Sequence, residues 1–307
     1  MSEAARQLAQ ATLSKSASER RRRKLATLQL LRGGAAVCFF LCVMLLIAML
    51  HLNRLPIKEI VFEGNTHYSH AELQDIIPQK IGDALHLVNK EELRGEMLSA
   101  CPYLSDVSVE VSLRGVVRIT VSERTPLWAL RYDVDADTVG YVLLDQSLLA
   151  LEYTPESQDC CVVICPGIAL PQIGETLAAA GKRLELAYVA ERIEAGEDED
   201  EIEVPPYVLS AQRLDERLLC IARGCAGLQE GDGPAAVDFS SAYDYTLTMK
   251  DGSVLLLGNA EMLETQISYA LSAMQDYRQD GGTIGLGGAL MVDVRDISRV
   301  FVREISP

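Results

Sequence analysis

Hydrophobic and polar positions follow three different patterns along this chain. The first runs from Gly33 to Leu52, where GGAAVCFFLCVMLLIAML closes on His51 and Leu52 without a formal charge. About 20 residues rising about 1.5 Å each reach about 30 Å, the thickness of a bilayer's hydrocarbon core. A helix there satisfies its own backbone groups. A buried core helix rarely stays apolar on every face for five turns. The pattern therefore predicts a transmembrane helix over 33–52.

The second pattern, over 55–124, mixes two periods. Ile57 to Glu63 reads as a strand, broken at Gly64-Asn65. Ser69-His70-Ala71-Glu72 is a capping box that starts a helix through Ile76 and Ile77. A loop over 81–88 leads to a second cap, Asn89, with Glu92 three residues on. That helix carries Leu93, Met97 and Leu98 and stops before Cys101-Pro102. Val107, Val109 and Val111 then alternate with polar residues, Leu113-Arg114-Gly115 turns, and Val117, Ile119 and Val121 alternate again. This is a hairpin with one buried face, and the order is β-α-α-β-β.

The third pattern is a series of short strands with few helices. Trp128 to Leu130, Gly140 to Leu144, Leu148 to Leu151 and Val162 to Ile164 read as strands. Leu184 to Ile193 and Arg213 to Ile221 read as helices. Between them the acidic run 196–201 is a solvated loop. Tyr245 to Met249, Lys250-Asp251-Gly252 and Val254 to Leu257 form a hairpin. A helix presenting Leu263, Ile267, Leu271 and Met274 as one stripe follows. A glycine-rich loop over 280–288 leads to a strand, Leu290 to Arg295, and Arg299 to Ile305 is again rich in β-formers.

Several of these stretches resemble one family. A β-α-α-β-β unit directly after a single anchor, ending Val121-Ser122-Glu123-Arg124-Thr125-Pro126, resembles the POTRA domain of the FtsQ/DivIB bacterial cell-division proteins with its V-x-E-R-x-P signature. Cys101-Pro102-Tyr103-Leu104 is similar to that family's P-x-V turn, with leucine for the usual valine. Asp145-Gln146-Ser147 resembles its D-x-x-G turn, without the glycine. Pro166-Gly167 and Ile173-Gly174 resemble its P-x-x-x-G…G passage. The final hairpin, helix, loop and Val292-Asp293-Val294-Arg295 follow the order of the family's β domain. The resemblance implies an α+β chain in five parts. These are a basic cytoplasmic arm (1–32), the transmembrane helix (33–52), a POTRA domain (55–124), a mostly antiparallel β domain with a few packed helices (125–295) that carries an acidic insertion within 181–236, and a C-terminal strand (296–307).

Charge sets the orientation of that arrangement. The arm holds eight of the chain's 28 basic residues and two of its 44 acidic ones. The positive-inside rule keeps this end in the cytoplasm and sends the rest across. Met49-Leu50-His51-Leu52 lacks a small-x-small cleavage site, so the span reads as an uncleaved anchor. Against a whole-chain charge of −16, the exported part carries about −22 and repels nucleic acid. Its six cysteines (Cys101, Cys160, Cys161, Cys165, Cys220 and Cys225) leave three options open. They are disulfides in an oxidising compartment, a four-thiolate zinc site from Cys161-x3-Cys165 and Cys220-x4-Cys225, or free core thiols.

The sequence carries no familiar catalytic motif. All four histidines precede residue 87, and His67-x2-His70 reads as surface. H-E-x-x-H, G-x-S-x-G and K-T-G are absent. Gly285-Leu286-Gly287-Gly288 lacks the helix and lysine of a nucleotide loop. No cofactor is expected. The resemblance implies a non-catalytic scaffold at the septum that binds FtsB/DivIC-like and FtsL-like membrane partners. Matched by position after the VDVR strand, the FtsB/DivIC-type contacts fall on Asp296, Ser298, Val300 and Val302. A terminal strand is often a sheet edge with unpaired backbone groups, which fits strand addition by a partner. Two other readings stand beside it: a POTRA-containing transport module, and a cell-wall enzyme with an unfamiliar site.

Overall fold

The structure, a computed structural model, describes residues 34–35, 37–49, 55–136, 138–195, 202–204, 214–228, 231–241, 244–258, 262–279 and 288–305. The arm 1–32, the acidic run 196–201 and most of the glycine-rich loop lie outside them. Of the expected span, 34–35 and 37–49 are helical, and Phe39, Phe40, Leu45 and Met49 among them are exposed. Among the described residues no helix is long and apolar enough to cross a membrane. Contacts divide the chain into two compact units. One comprises the described residues up to Glu63 with 77–94 and 108–120; the other comprises 64–76, 95–107 and everything from Val121 on.

The β-α-α-β-β order is realised as β1 (Glu59–Glu63), α1 (His70–Ile76), α2 (Lys90–Ala100), β2 (Leu104–Ser112) and β3 (Val116–Glu123). Both predicted caps are formed. The Glu72 N–H donates to Ser69 Oγ at 3.3 Å while Ser69 N–H donates back to Glu72 at 2.8 Å. At the second cap the Glu92 N–H donates to Asn89 Oδ1 at 3.5 Å, and the Asn89 side-chain amide donates to the Glu92 carboxylate at 3.2 Å. The backbone N–H bonds among these satisfy donors that a helix start would otherwise leave unpaired. The strands form a sheet of order β1-β3-β2, with β1 parallel to β3. Alternation holds as the period requires: Val107, Val109, Val117, Ile119 and Val121 are buried while Ser108, Glu110, Arg118 and Thr120 are exposed. The loop 81–88 contains a single 3₁₀ turn, Leu85–Leu87.

Among the described residues the second sheet has nine strands. They are β4 (Trp128–Asp133), β5 (Val139–Leu144), β6 (Ala150–Thr154), β7 (Cys161–Ile164), β8 (Pro234–Asp238), β9 (Tyr245–Met249), β10 (Val254–Leu257), β11 (Leu290–Asp293) and β12 (Phe301–Glu304). Their order is β12-β11-β10-β9-β8-β7-β4-β5-β6. Most neighbours are antiparallel, but β4 with β7, β7 with β8, and β10 with β11 are parallel. Parallel neighbours need long crossovers. Here α3 (Leu177–Glu194) and α4 (Leu214–Gly224) lie in sequence between β7 and β8, and α5 (Leu263–Gln279) between β10 and β11. Strand β8 had no sequence signal: PAAVD is poor in β-formers and opens on proline. It holds its place because Val237 is fully buried between β7 and β9. The core joins the inward residues of the sheet, among them Trp128, Leu130, Val163, Leu247 and Val292, to Leu214, Leu218 and Ile221 of α4 and Ile267 and Met274 of α5.

Candidate partner-binding edge

Strand β12 ends the nine-stranded order. Among the described residues it pairs with β11 alone, Val292 opposite Val302 and Met291 opposite Arg303. Ile305 N–H donates to Ala289 O at 2.9 Å, which makes 305 with 289 a hydrogen-bonded pair. Hydrogen-bonded and non-hydrogen-bonded pairs alternate along an antiparallel ladder. Val302 therefore sits in a non-hydrogen-bonded pair, and its N–H and C=O point away from β11. Among the described residues no strand meets them. The opposite edge, β6, is treated differently. Ala150 N–H donates to Glu175 O at 2.9 Å and Gly174 N–H to Ala150 O at 2.8 Å, so the 174–176 segment covers part of it. An open edge beside a covered one is the usual template for strand addition.

The four residues expected at the site fall into two pairs. Asp296 and Ser298 form an Asx turn before β12: Asp296 Oδ1 accepts from Ser298 N–H at 3.0 Å and from Ser298 Oγ at 2.6 Å. Those two bonds hold the Asp296 carboxyl below its ordinary range. Their polar groups are thus spent on shaping the approach to the strand. Val300 and Val302 pack half-buried against the core, so their side chains anchor the strand while the Val302 backbone faces outward. The side chains free to meet a partner are their neighbours. Phe301 is 63 % exposed, against the inward packing that an ordinary edge strand would give it, and Arg303 is exposed beside it. Arg303 donates to Met291 Sδ on the same face. The period-two rule could have singled out Phe301 once Val302 was taken as inward. The preceding turn is fixed by Arg295, which makes a two-pronged contact to Asp293 at 3.0 and 2.6 Å. That pairing pulls the Asp293 carboxyl down and pushes the Arg295 guanidinium up.

The V-x-E-R-x-P stretch does structural work. Glu123 accepts three backbone N–H bonds, from Thr66 at 2.9 Å, His67 at 2.7 Å and Tyr68 at 3.2 Å. Burial pushes its carboxyl up, and those bonds outweigh burial and leave it below its ordinary range. Arg124 donates to Leu104 O at 3.2 Å and to Asp145 Oδ2 at 2.6 Å. Asp145 is buried and also accepts from Ser147 N–H at 2.8 Å and Leu149 N–H at 2.9 Å. Burial pushes this carboxyl up, and the Leu149, Ser147 and Arg124 donors more than reverse it. The signature arginine and the D-x-x-G aspartate, 21 residues apart, thus meet in one ion pair.

Candidate chemistry elsewhere is sparse. His67 stacks on Tyr103 with ring centroids 3.8 Å apart, and His70 begins α1. All eight cysteines are free thiols. Burial, and then the neighbouring Cys225, pushes Cys161 up to about 12; burial pushes Cys225 up to about 11. Among the described residues no group of three or more His, Cys, Asp or Glu could hold a metal ion.

Comparison with known proteins adds one match and one blank. The family model described as POTRA domain, FtsQ-type, matches residues 55–124. No curated protein matches the chain.

Proposed function

We propose, from the premise that the chain carries an FtsQ-type POTRA domain over 55–124 and so stands with the FtsQ/DivIB cell-division proteins, that it is a non-catalytic scaffold of the division machinery. In this reading residues 1–32 are a cytoplasmic arm, 33–52 cross the membrane, and the POTRA domain, the β domain (125–295) and the last strand (296–307) lie outside, at the septum. Uniform exposure of Phe39, Phe40, Leu45 and Met49 around the N-terminal helical segment supports the anchor. Apolar side chains on every side of a helix need a solvent other than water.

Its partners are FtsB/DivIC-like and FtsL-like membrane proteins, the first held by strand addition along β12. The observation that carries this is the outward Val302 N–H and C=O on an open edge, next to the exposed Phe301. Main-chain bonds supply the affinity of such a joint and alternate side chains its specificity. Asp296 and Ser298 set the turn, and Val300 and Val302 hold the strand to the core. Proline removes a donor at an edge without emptying the core. Val302→Pro is therefore expected to abolish co-purification of the full chain with the DivIC-like partner, whereas Val302→Thr should leave it intact. Undiminished capture by both Val302→Pro and Val300→Pro, with unchanged circular dichroism, would refute this edge as the site.

A further inference from the structure

Three exposed apolar side chains cluster at one end of the small sheet and serve no core. Ile81, Leu87 and Leu113 are 67 %, 64 % and 71 % exposed. Ile81 precedes the 3₁₀ turn, Leu87 is its last residue, and Leu113 lies in the turn between β2 and β3. The segment Leu55–Lys58, which leads into β1, runs between those two loops. On one side Ile57 N–H donates to Asp83 O at 2.7 Å, Gly82 N–H to Ile57 O at 2.7 Å and Leu85 N–H to Leu55 O at 2.8 Å. On the other side Lys58 N–H donates to Gly115 O at 2.7 Å. Gly115 has φ 88°, and a Cβ on it would stand 2.7 Å from Pro56 O, so this close approach needs glycine. Strand β1 is parallel to β3 with Glu59 opposite Val116. Counting back along that ladder puts Leu113 level with Pro56, at the end from which the chain enters the domain.

Leu55 lies three residues after Leu52, and three residues span at most about 11 Å. If 33–52 cross the bilayer, as the proposed function has it, both loop tips lie within reach of the headgroup layer, which is about 5–8 Å thick on each side. The charge here suits that position. Lys58 and Arg114 are exposed beside the tips, and the Asp83 carboxylate accepts the Lys80 N–H at 2.7 Å. The exported part as a whole is strongly acidic, so a basic-flanked apolar tip is the end least repelled by anionic lipid. We propose that Ile81, Leu87 and Leu113 dip into the interfacial layer of the bilayer that holds the anchor, with Lys58 and Arg114 facing its anionic headgroups. The inference rests on the anchor reading.

Tryptophan quenching tests it with the full chain in phosphatidylcholine–phosphatidylglycerol vesicles. The native Trp128 is 1 % exposed and supplies a low background. Leu113→Trp and Leu87→Trp are expected to add emission that brominated lipid quenches. Leu186→Trp, at a position that is exposed but off this tip, should add emission that it does not. Leu45→Trp reports on the anchor. Quenching of Leu45→Trp without quenching of Leu113→Trp and Leu87→Trp overturns the tip and leaves the anchor standing. No quenching of any of them overturns both. Equal quenching of Leu186→Trp shows general adsorption and overturns the tip as the contact.

Discussion

Leu148 occupies a conformation usually left to glycine, with φ 61°. It stands where the D-x-x-G turn would have its glycine. Its N–H donates to Asp145 O at 3.0 Å and its C=O accepts from Leu177 N–H at 2.9 Å, so both sides of the residue are held. The left-handed region costs a leucine about 1–2 kcal/mol, while burying its side chain contributes about 1.5–3 kcal/mol. The side chain is 2 % exposed, so burial prevails and leucine stays. Leu148→Ala should lose about 2–5 kcal/mol, because it empties the site and keeps the unfavourable φ. Leu148→Gly empties the same site but relieves the backbone. It should be more stable than Leu148→Ala by about 1 kcal/mol, the reverse of the order in helices and strands. Urea unfolding of the full chain in detergent checks this; a glycine variant less stable than the alanine one would show that the turn is unstrained.

The hairpin of β2 and β3 was plain from alternation because one of its faces is dry and the other wet. Ile119 is fully buried, so Ile119→Ala should cost about 2–5 kcal/mol. Val109→Asp should cost more, since it places an unpaired charge against the same interior. Melting curves unchanged by both would mean that the faces are assigned the wrong way round. Strand β8 shows why the same rule fails elsewhere. Its partners lie on both sides in the sheet, four of its five positions are only half-buried, and no alternation survives. Helix α3 likewise begins at Leu177, seven residues before its apolar signal, because Thr176 accepts the Ala179 N–H at 3.3 Å and starts it early.

Acid response is a property of residues 53–307 taken together. Their net charge of about −22 at neutral pH means that mild acidification removes self-repulsion and should raise stability at first. Further acidification has the opposite sign. Asp145, Glu123 and Asp251 all have carboxyls held below their ordinary values in the fold: burial raises each, and hydrogen bonds, with Arg124 or Arg278 for the two aspartates, outweigh it. Groups depressed in this way stabilise the fold above their unfolded values, about 3.9 for Asp and 4.3 for Glu, and lose that contribution as pH falls through the folded values. The melting temperature should therefore peak on the acid side of neutrality and drop below about pH 4. Asp145→Asn should melt lower at neutral pH and show a shallower acid limb. A melting temperature that falls steadily from pH 8 to 5 would show that self-repulsion does not limit this fold, because the paired carboxylates keep their full contribution above their unfolded values.

Local order was legible in the chain wherever a single physical rule acts along it. Period-two burial marked β2 and β3, side chains that reach back three residues marked the caps at Ser69 and Asn89, and the apolar stripe marked α5. The position of β12 after the VDVR strand could be read as well, and so could its fitness for β structure. Whether that strand lies at an edge could not, because strand order depends on which strands pair across long sequence distances. The three parallel ladders of the nine-stranded sheet and the placement of β8 come from that pairing. The outward turn of the Val302 backbone depends on register, which a shift of one residue would reverse. The meeting of Arg124 with Asp145 is of the same kind, as is the gathering of Ile81, Leu87 and Leu113 at one tip. Each brings together residues that no local period relates, and packing and ladder geometry place them.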